Sequence, residues 1–267
     1  MIEQRVPAIA RWMLYALGAI EGRRVLRPID GVAAWLLRNH PALLPTLPPS
    51  DVLSTMRART EIVDRMIAEE VFRARSRLET IALWTVGGGF DARWERIWGP
   101  FEDVVEHLVE VESPVILELK SQLLKTSPFV QAWSRVLRRG LSEAEWTLDD
   151  RGRPVPVVVL ETGSGRLDET ELIGLLSRIR RDAPRARVIV GLPADQGAAD
   201  HRWSRSALAA LGWRVDEDVH IAVRGRLQGN NGQELSPGMY PFRVAKIRAL
   251  GACIEENQAV TGEAGFR

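Results

Sequence analysis

A mostly apolar run that ends in three glycines constrains the fold of this chain more than any other stretch. Residues 81–86 are followed by Gly87, Gly88 and Gly89, and Asp91 comes two residues later. Glycine readily adopts positive φ angles and, without a Cβ, lets a ligand approach the backbone closely. The pattern predicts a buried strand that delivers a ligand-binding turn, with strands and helices alternating after it.

The spacing of apolar residues changes near residue 80, from a helical period to an alternation of strands and helices. The predicted strands are 81–86, 104–111, 134–137, 155–160, 187–192 and 219–223. The predicted helices are 91–98, 115–125, 167–182, 201–211 and 242–252, with a helical turn at 142–146. The valine-rich run 155–160 indicates burial on both faces, as in the centre of a parallel sheet. We therefore expect an α/β fold with a Rossmann-like sheet and helices on both faces.

The segment before the glycine turn is predicted to be a separate helical unit. We expect an N-terminal helical cap at 1–78 and a Rossmann-like ligand-binding domain at 79–267, with no strand before residue 80. The proline-rich stretch 40–49 cannot form a regular helix and is interpreted as a linker. A long charged helix should follow, with Ser50 or Asp51 as its N-cap. Such a cap would close over the ligand site as a lid.

The charge balance and the single cysteine exclude several classes of function. Lys and Arg number 36 against 35 Asp and Glu, and the net charge of +1 predicts no nucleic-acid or membrane partner. The apolar stretch 6–20 contains Arg11 and falls short of the ~20 residues that span a bilayer. Cys253 stands alone, which excludes an intrachain disulfide and a cysteine-based zinc site. We expect a cytoplasmic protein without a metal site, and the sequence does not specify an oligomeric state.

An acid at a suitable distance after the glycines indicates which ligands the turn suits. In an open parallel sheet, a ligand binds beyond the carboxyl ends of the strands, and an acid about 20 residues after the glycines accepts its ribose hydroxyls. Glu110 and Glu112 both stand there. The spacing Gly87-x-Gly89-x-x-Ala92 also fits the loose dinucleotide pattern. The spacing alone therefore allows three interpretations of the turn: it binds NAD, it binds another adenosyl cofactor, or it binds no ligand.

The glycine turn and its flanks resemble a known enzyme family. The segment 87–96, GGGFDARWER, resembles the Gly-x-Gly-Leu-Asp-Thr-Arg-x-x-Arg signature of leucine carboxyl methyltransferase-like enzymes. These are a branch of the class I S-adenosylmethionine-dependent methyltransferases. Upstream, Arg59-Thr60 and Asp64 are similar to the family's Arg-Thr and Asp, and downstream 110–114 with Lys120 is similar to its Glu-Val-Asp-x-Pro and Lys pattern. The resemblance covers residues 55–192.

The resemblance implies a class I methyltransferase fold with S-adenosylmethionine as the cofactor. The cofactor-binding residues that it implies are Arg59, Gly87, Gly88, Gly89, Asp91, Arg93, Glu112 and Glu161. In this interpretation Arg59 and Arg93 hold the methionine carboxylate, Glu112 accepts the ribose hydroxyls and Glu161 meets the amino group. From the residues alone, the arginines also fit helix salt bridges and Glu161 fits a helix cap.

Departures from the family pattern bear on turnover more than on cofactor binding. Glu112 replaces the family's Asp, and Thr162 and Arg166 stand where Gly and Tyr are usual. The chain between Lys120 and Glu161 is shorter than in most relatives. In those relatives an Asp-x-x-Trp segment helps to hold adenine, and here only Trp146 corresponds to part of it. The resemblance therefore implies cofactor binding more strongly than methyl transfer.

Methyl transfer needs few catalytic side chains, because it is an in-line displacement that depends on positioning and exclusion of water. A hydroxyl acceptor would benefit from a general base, and His201 is the candidate, although it also fits a helix cap or a surface position. The function predicted is an S-adenosylmethionine-dependent O-methyltransferase acting on a carboxylate or hydroxyl of a small specialised metabolite. One alternative is a methyltransferase-like protein with another reaction or a noncatalytic role, and another is an NAD-dependent oxidoreductase.

Overall fold

A mixed seven-stranded sheet with helices forms the framework of the protein in its computed structural model. The structure describes residues 18, 20–21, 24–25, 30–40, 50–141, 148, 154–161, 169–193, 205–221 and 242–249. The strands of the sheet are β1 (Ile81–Val86), β2 (Val105–Glu112), β3 (Leu137–Gly140), β4 (Val155–Glu161), β5 (Arg187–Pro193), β6 (Trp213–Ile221) and β7 (Phe242–Ala249). The helices are α1 (Gly31–Asn39), α2 (Ser50–Ser76), α3 (Arg93–Phe101), α4 (Pro114–Leu124), α5 (Val130–Ser134), α6 (Glu169–Asp182) and α7 (Arg205–Ala210).

The strand order places a crevice at the end of β1. Across the sheet the order is β3-β2-β1-β4-β5-β7-β6. The first five of these strands are parallel, and β7 runs antiparallel to both β5 and β6. From β1 the chain continues to the neighbouring strand β2, towards one edge of the sheet, whereas from β4 it continues to β5, towards the opposite edge. The switch point lies between β1 and β4, and ligands bind beyond the strand ends at such a point. The turn that follows β1 and the last residue of β4 therefore share this crevice.

Both faces of the sheet are covered by helices, as the sequence predicts. Side chains alternate between the faces of a strand, so Val157 and Val159 of β4 lie in one hydrophobic cluster while Val158 and Leu160 lie in the other. The first cluster includes apolar residues of α1, α2 and α3, and the second includes those of α6 and α7. The α/β fold with a doubly covered sheet is confirmed, and β4 is its central strand as predicted.

Helix α2 packs directly on the sheet. Its residues Val63, Met66, Ile67, Val71 and Ala74 recur at helical spacing and are almost completely buried in the same cluster as β1 and β4. The helix has 27 residues but is charged along its outer face, and no helix in the described ranges is long and apolar enough to cross a membrane. The division into a cap at 1–78 and a domain at 79–267 stays a prediction.

The last strand of the sheet corrects the sequence prediction most clearly. Residues 242–252 were expected to be helical, but Phe242–Ala249 is strand β7, which is paired on both sides. The segment is rich in Ala, Arg and Lys, which favour helix locally. Pairing with β5 and β6 satisfies the backbone of the whole segment and buries Val244, Ala245 and Ile247, so tertiary packing overrides propensity.

Smaller corrections concern element boundaries. The strand expected at 134–137 lies at Leu137–Gly140, after the short helix α5, and the strand expected at 219–223 begins earlier, at Trp213. A two-residue antiparallel pair, Ile20–Glu21 with Arg24–Val25, contradicts the expectation of no strand before residue 80. The predicted turn at 142–146, nearly all of the linker at 40–49 and the start of the helix at 201 lie outside the described residues.

Two glycines provide a matched test of backbone conformation. Gly212 has φ +82°, and a Cβ there would collide with the Arg180 guanidinium, whereas Gly174 lies within α6 and a Cβ there meets nothing within 4 Å. Gly212→Ala should lower the free energy of unfolding by about 1 kcal/mol or more, because the left-handed region disfavours side chains. Gly174→Ala should raise it by about 0.5–1 kcal/mol, because alanine restricts the unfolded chain. Urea denaturation measures both, and changes of the same sign would contradict the conformations described.

Candidate functional site

The turn after β1 requires glycine at its first and third positions. Gly87 has φ 73° and Gly89 φ 62°, both in the region that side chains rarely adopt. The Gly87 N–H donates to the carbonyl of Val111 (3.0 Å), which continues the pairing of β1 with β2. Gly88 is partly exposed, and a Cβ there would approach only the Cβ of Asp91, at 3.8 Å. The backbone of the turn is therefore fixed by its neighbours and most accessible at Gly88.

Glu112, at the end of β2, holds the turn from its donor side. Its Oε2 accepts a hydrogen bond from the Gly89 N–H (2.8 Å), and its Oε1 accepts one from the Ser113 N–H (2.8 Å). The side chain is completely buried. Of the two acids at the expected spacing, Glu112, which the family resemblance implies as the ribose acceptor, is the one that accepts a hydrogen bond from the glycine turn. The carboxylate of Glu112 therefore fixes the Gly89 and Ser113 N–H groups in place.

Lys120 of α4 holds the same turn from its acceptor side. The ammonium Nζ donates to the carbonyls of Gly89 (3.1 Å) and Asp91 (3.2 Å) and forms an ion pair with Glu110. Lys120 and Glu110 are 1% and 2% exposed, so their charges interact in a poorly solvated interior. Burial raises the pKa of Glu110 to about 7, although the charge of Lys120 acts in the opposite direction.

Arg93, the first residue of α3, joins three acids from three parts of the chain. It contacts Asp64 of α2 at 3.0 Å, Asp91 of the turn at 2.7 Å and Glu161 of β4 at 3.0 Å. Arg59 of α2 forms a further ion pair with Glu161. Arg93 is 2% exposed, and its Nη1 has no hydrogen-bond partner among the described residues. The predicted residues Arg59, Asp91, Arg93 and Glu161 are therefore linked in one chain of ion pairs, from Arg59 through Glu161 and Arg93 to Asp91.

Arg96 forms a second junction one helical turn further along α3. Its guanidinium contacts Asp30 (2.7 Å), Asp64 (2.7 Å) and Asp91 (2.8 Å). Asp91 is buried, which alone would raise its pKa, but the charges of Arg93, Arg96 and Lys120 outweigh burial and lower that pKa to about 2. The site therefore keeps Asp91 ionised across the physiological range.

Two members of this network were missed as site residues by the sequence interpretation, Asp30 and Arg96. Asp30 directly precedes the helical pattern of Val32, Leu36 and Leu37, which is an N-cap signal. Arg96 stands three residues after Arg93 and therefore on the same face of α3. These signals predict a cap and a helix face, but the pairing across 66 residues between Asp30 and Arg96 is visible only in the fold.

The structure brings together all the described residues that the sequence assigns to cofactor binding. Arg59, Gly87, Gly88, Gly89, Asp91, Arg93, Glu112 and Glu161 lie at the carboxyl ends of β1, β2 and β4 and on the helices that cover them. His201 lies outside the described residues and stays a prediction. In the part of the chain that the structure describes, no group of three or more His, Cys, Asp or Glu could hold a metal ion.

The raised pKa of Glu110 makes folding stability depend on pH. The folded state holds a proton on Glu110 up to about pH 7, whereas an unfolded glutamate releases it near pH 4.5. The contribution of Glu110 is therefore most favourable at low pH and is lost as the pH rises through 7. Between pH 5 and pH 8 the loss is about 2 kcal/mol. In Glu110→Gln this part of the dependence should disappear, as measured by urea unfolding at both pH values.

The exposed Glu118 of α4 provides the control for this change. Glu118→Gln should retain the wild-type difference in stability between pH 5 and pH 8, because this exposed side chain is not part of the buried pair of Glu110 with Lys120. If Glu110→Gln retained it as well, the burial at this position of an oxygen, Oε2, with no hydrogen-bond partner among the described residues would be contradicted.

Comparisons with known proteins bear on the fold. No protein-family model matches the chain, and no curated protein sequence matches it significantly. A DUF574 family protein from Streptomyces avermitilis has a similar structure, with a TM-score of 0.50 and 16% identity over 93% of this chain and 100% of that chain. LepI in complex with SAM gives a TM-score of 0.40 and 13% identity over 64% of this chain, which spans 43% of LepI. The glycopeptide N-methyltransferase MtfA with S-adenosyl-L-homocysteine gives 0.41 and 14%, over 68% and 86%.

At these identities a structural likeness describes the fold and not the activity. The DUF574 family protein covers almost the whole chain, whereas the TM-scores of LepI and MtfA are too low to support an argument. The sheet order, with parallel β1 to β5 and antiparallel β7, is that of an open α/β sheet with a switch point between β1 and β4. The described residues therefore have a Rossmann-like α/β fold with a mixed seven-stranded sheet.

Proposed function

We propose that this protein is an S-adenosylmethionine-dependent methyltransferase that methylates a carboxylate or hydroxyl oxygen of a small specialised metabolite. The observation that carries the proposal is the contact between the glycine turn after β1 and Glu112 at the end of β2. A glycine turn and an acid in these two places form the adenosyl-ribose subsite of open α/β sheets. The sequence resemblance around both segments adds the preference for S-adenosylmethionine over NAD.

The residues of the site fit this cofactor in charge and in hydrogen-bonding capacity. A carboxylate offers about four acceptor positions, and Glu112 already accepts from the Gly89 and Ser113 N–H groups. Because Glu112 is completely buried, ribose hydroxyls would reach it only if the ligand displaced the groups that cover it. Gly88 leaves room for a ligand close to the backbone. The Nη1 of Arg93 is a buried donor without an acceptor in the described ranges, which suits the carboxylate of a methionine moiety.

The tasks of the protein in the reaction are positioning and exclusion of water. When bound, the cofactor supplies an electrophilic methyl group on a sulfonium. Glu112 and the glycine turn would fix the nucleoside end, and Arg59, Arg93 and Glu161 would fix the amino-acid end. A carboxylate acceptor is nucleophilic as it stands, whereas for a hydroxyl acceptor His201 stays our candidate for the general base. Residues 1–78, which the sequence predicts as an N-terminal cap, stay our candidate for the lid over the acceptor.

A second candidate function has a specific observation in its favour. Arg59 and Arg93 are already paired with the protein's own acids, Glu161, Asp91 and Asp64, and the network is largely buried. Such internal pairing stabilises the closed site without a ligand carboxylate. It supports a methyltransferase-like protein that binds the cofactor for another reaction, or that serves as a noncatalytic partner.

Calorimetric titration of the full chain with S-adenosylmethionine, S-adenosylhomocysteine and NAD tests the cofactor. The wild-type protein should bind the two adenosyl-sulfur ligands in the micromolar range and NAD at least tenfold more weakly. In Glu112→Gln the affinity for S-adenosylhomocysteine should fall by about tenfold or more, because a charge-assisted acceptor and the brace of the turn are lost together. No binding of either adenosyl-sulfur ligand to the wild-type protein would overturn the proposal.

Glu106 provides a matched control, since it is exposed on the same strand β2. Glu106→Gln should bind S-adenosylhomocysteine as the wild-type protein does. Formation of S-adenosylhomocysteine from S-adenosylmethionine in the presence of a panel of small carboxylic acids and phenols would then separate the two candidate functions. Binding without transfer to any acceptor in the panel or in a cell extract favours the second.

A further inference from the structure

Asp30 connects the start of α1 to the end of the glycine turn. As the N-cap of α1, it accepts a hydrogen bond from the Ala33 N–H through Oδ1 (2.9 Å). Its Oδ2 accepts a second one from the Ala92 N–H (2.9 Å), the last residue before α3. The carboxylate is completely buried. One side chain thus satisfies a backbone donor of its own helix and another 62 residues away from Asp30 in the sequence.

The same carboxylate is also part of the arginine network. Arg96 Nη1 contacts both Asp30 Oδ2 (2.7 Å) and Asp91 Oδ1 (2.8 Å), while its Nε contacts Asp64 of α2 (2.7 Å). The start of α1, the middle of α2 and the glycine turn therefore meet at one guanidinium. If any of these three parts moves away, Arg96 loses one of its three carboxylates, and if Asp30 moves, the Ala92 N–H also loses its acceptor.

This geometry makes the docking of α1 and the conformation of the glycine turn one coupled equilibrium. If α1 undocks, Ala92 loses its acceptor and Arg96 loses one of its three carboxylates. If the turn rearranges at Ala92, Asp30 loses the hydrogen bond from that N–H group. Coupling of this kind is reciprocal, so whatever stabilises the turn stabilises α1 by the same factor.

We propose that Asp30 is a positioning residue that makes docking of α1 a condition for the ligand-competent glycine turn. Binding of a ligand at the turn then stabilises docked α1, and docked α1 strengthens binding of the ligand. This coupling does not require contact between α1 and the ligand. The identity of that ligand rests on the proposed function, whereas the coupling between α1 and the turn does not.

Asp30→Asn tests the coupling in the absence of ligand. Asparagine is as good an N-cap as aspartate, so the hydrogen bond to Ala33 is retained, but its amide group carries a single acceptor oxygen and no charge for Ala92 and Arg96. Hydrogen exchange of the Ala92 amide and of the α1 amides should both become at least tenfold faster. Unchanged exchange at Ala92, or faster exchange in α1 alone, would overturn the proposal.

Glu70→Gln is the matched control, because Glu70 is also completely buried and ion-paired. Its partners are Arg73 of α2, Arg187 of β5 and Lys246 of β7. This variant should lose stability in urea but retain the exchange rates of Ala92 relative to its own global unfolding. An equal acceleration at Ala92 in both variants would reduce Asp30 to an ordinary stabilising residue and overturn the proposal.

The wild-type protein keeps the proposal testable even if Asp30→Asn does not fold. Native-state exchange at low urea concentrations should show the same opening equilibrium and the same urea dependence for Ala92 and the α1 amides, because they open together. Opening with separate urea dependences would overturn the coupling.

Titration with S-adenosylhomocysteine tests whether ligand binding and docking of α1 depend on each other. The ligand should slow hydrogen exchange of the α1 amides in the wild-type protein and in Glu70→Gln. Its dissociation constant should rise at least tenfold in Asp30→Asn but less than twofold in Glu70→Gln. Absence of binding to the wild-type protein would contradict the proposed function and leave the ligand-free result to decide the role of Asp30. Wild-type affinity in Asp30→Asn would contradict that role alone.

Discussion

The burial of Arg93 and Arg96 on one face of α3 is the interaction on which the rest of the site depends. A buried guanidinium is stable only when carboxylates surround it, and breaking one such pair leaves the other charge uncompensated. The carboxylates come from the start of α1, from α2, from the glycine turn and from the end of β4, as Asp30, Asp64, Asp91 and Glu161. Helices and sheet are therefore tied together where the strands end.

The glycine turn is held in place before any ligand arrives. Its N–H group at Gly89 is taken by Glu112, and its carbonyls at Gly89 and Asp91 are taken by Lys120. A turn braced on both sides loses little conformational freedom on binding, which favours affinity. The side chains that hold the turn, Glu112 and Lys120, are however charged and buried. The raised pKa of the neighbouring Glu110 indicates that burial disfavours the ionised form at this place.

Local sequence patterns predicted the strands better than the segments that depend on distant partners. The valine-rich strand β4 and the helix that begins at Pro114 were predicted nearly to the residue, because burial on both faces and a proline at the first helical turn leave a local signal. Strand β7 was predicted as a helix, because its composition favours helix and its two partner strands are absent from local sequence. The antiparallel pair before α1 was missed for the same reason.

By itself the sequence determined the α/β class, the glycine turn and the acids and arginines that surround it, because spacing along a strand or helix fixes which residues reach the strand ends. Only the tertiary structure decided how those residues are paired. It paired Glu112 with the Gly89 N–H, Asp30 with Ala92 and Arg96, and Arg59 with Glu161. The partners in each pair lie tens of residues apart in the sequence and come together only when the strands assemble into the sheet. Local sequence patterns therefore do not predict these pairs.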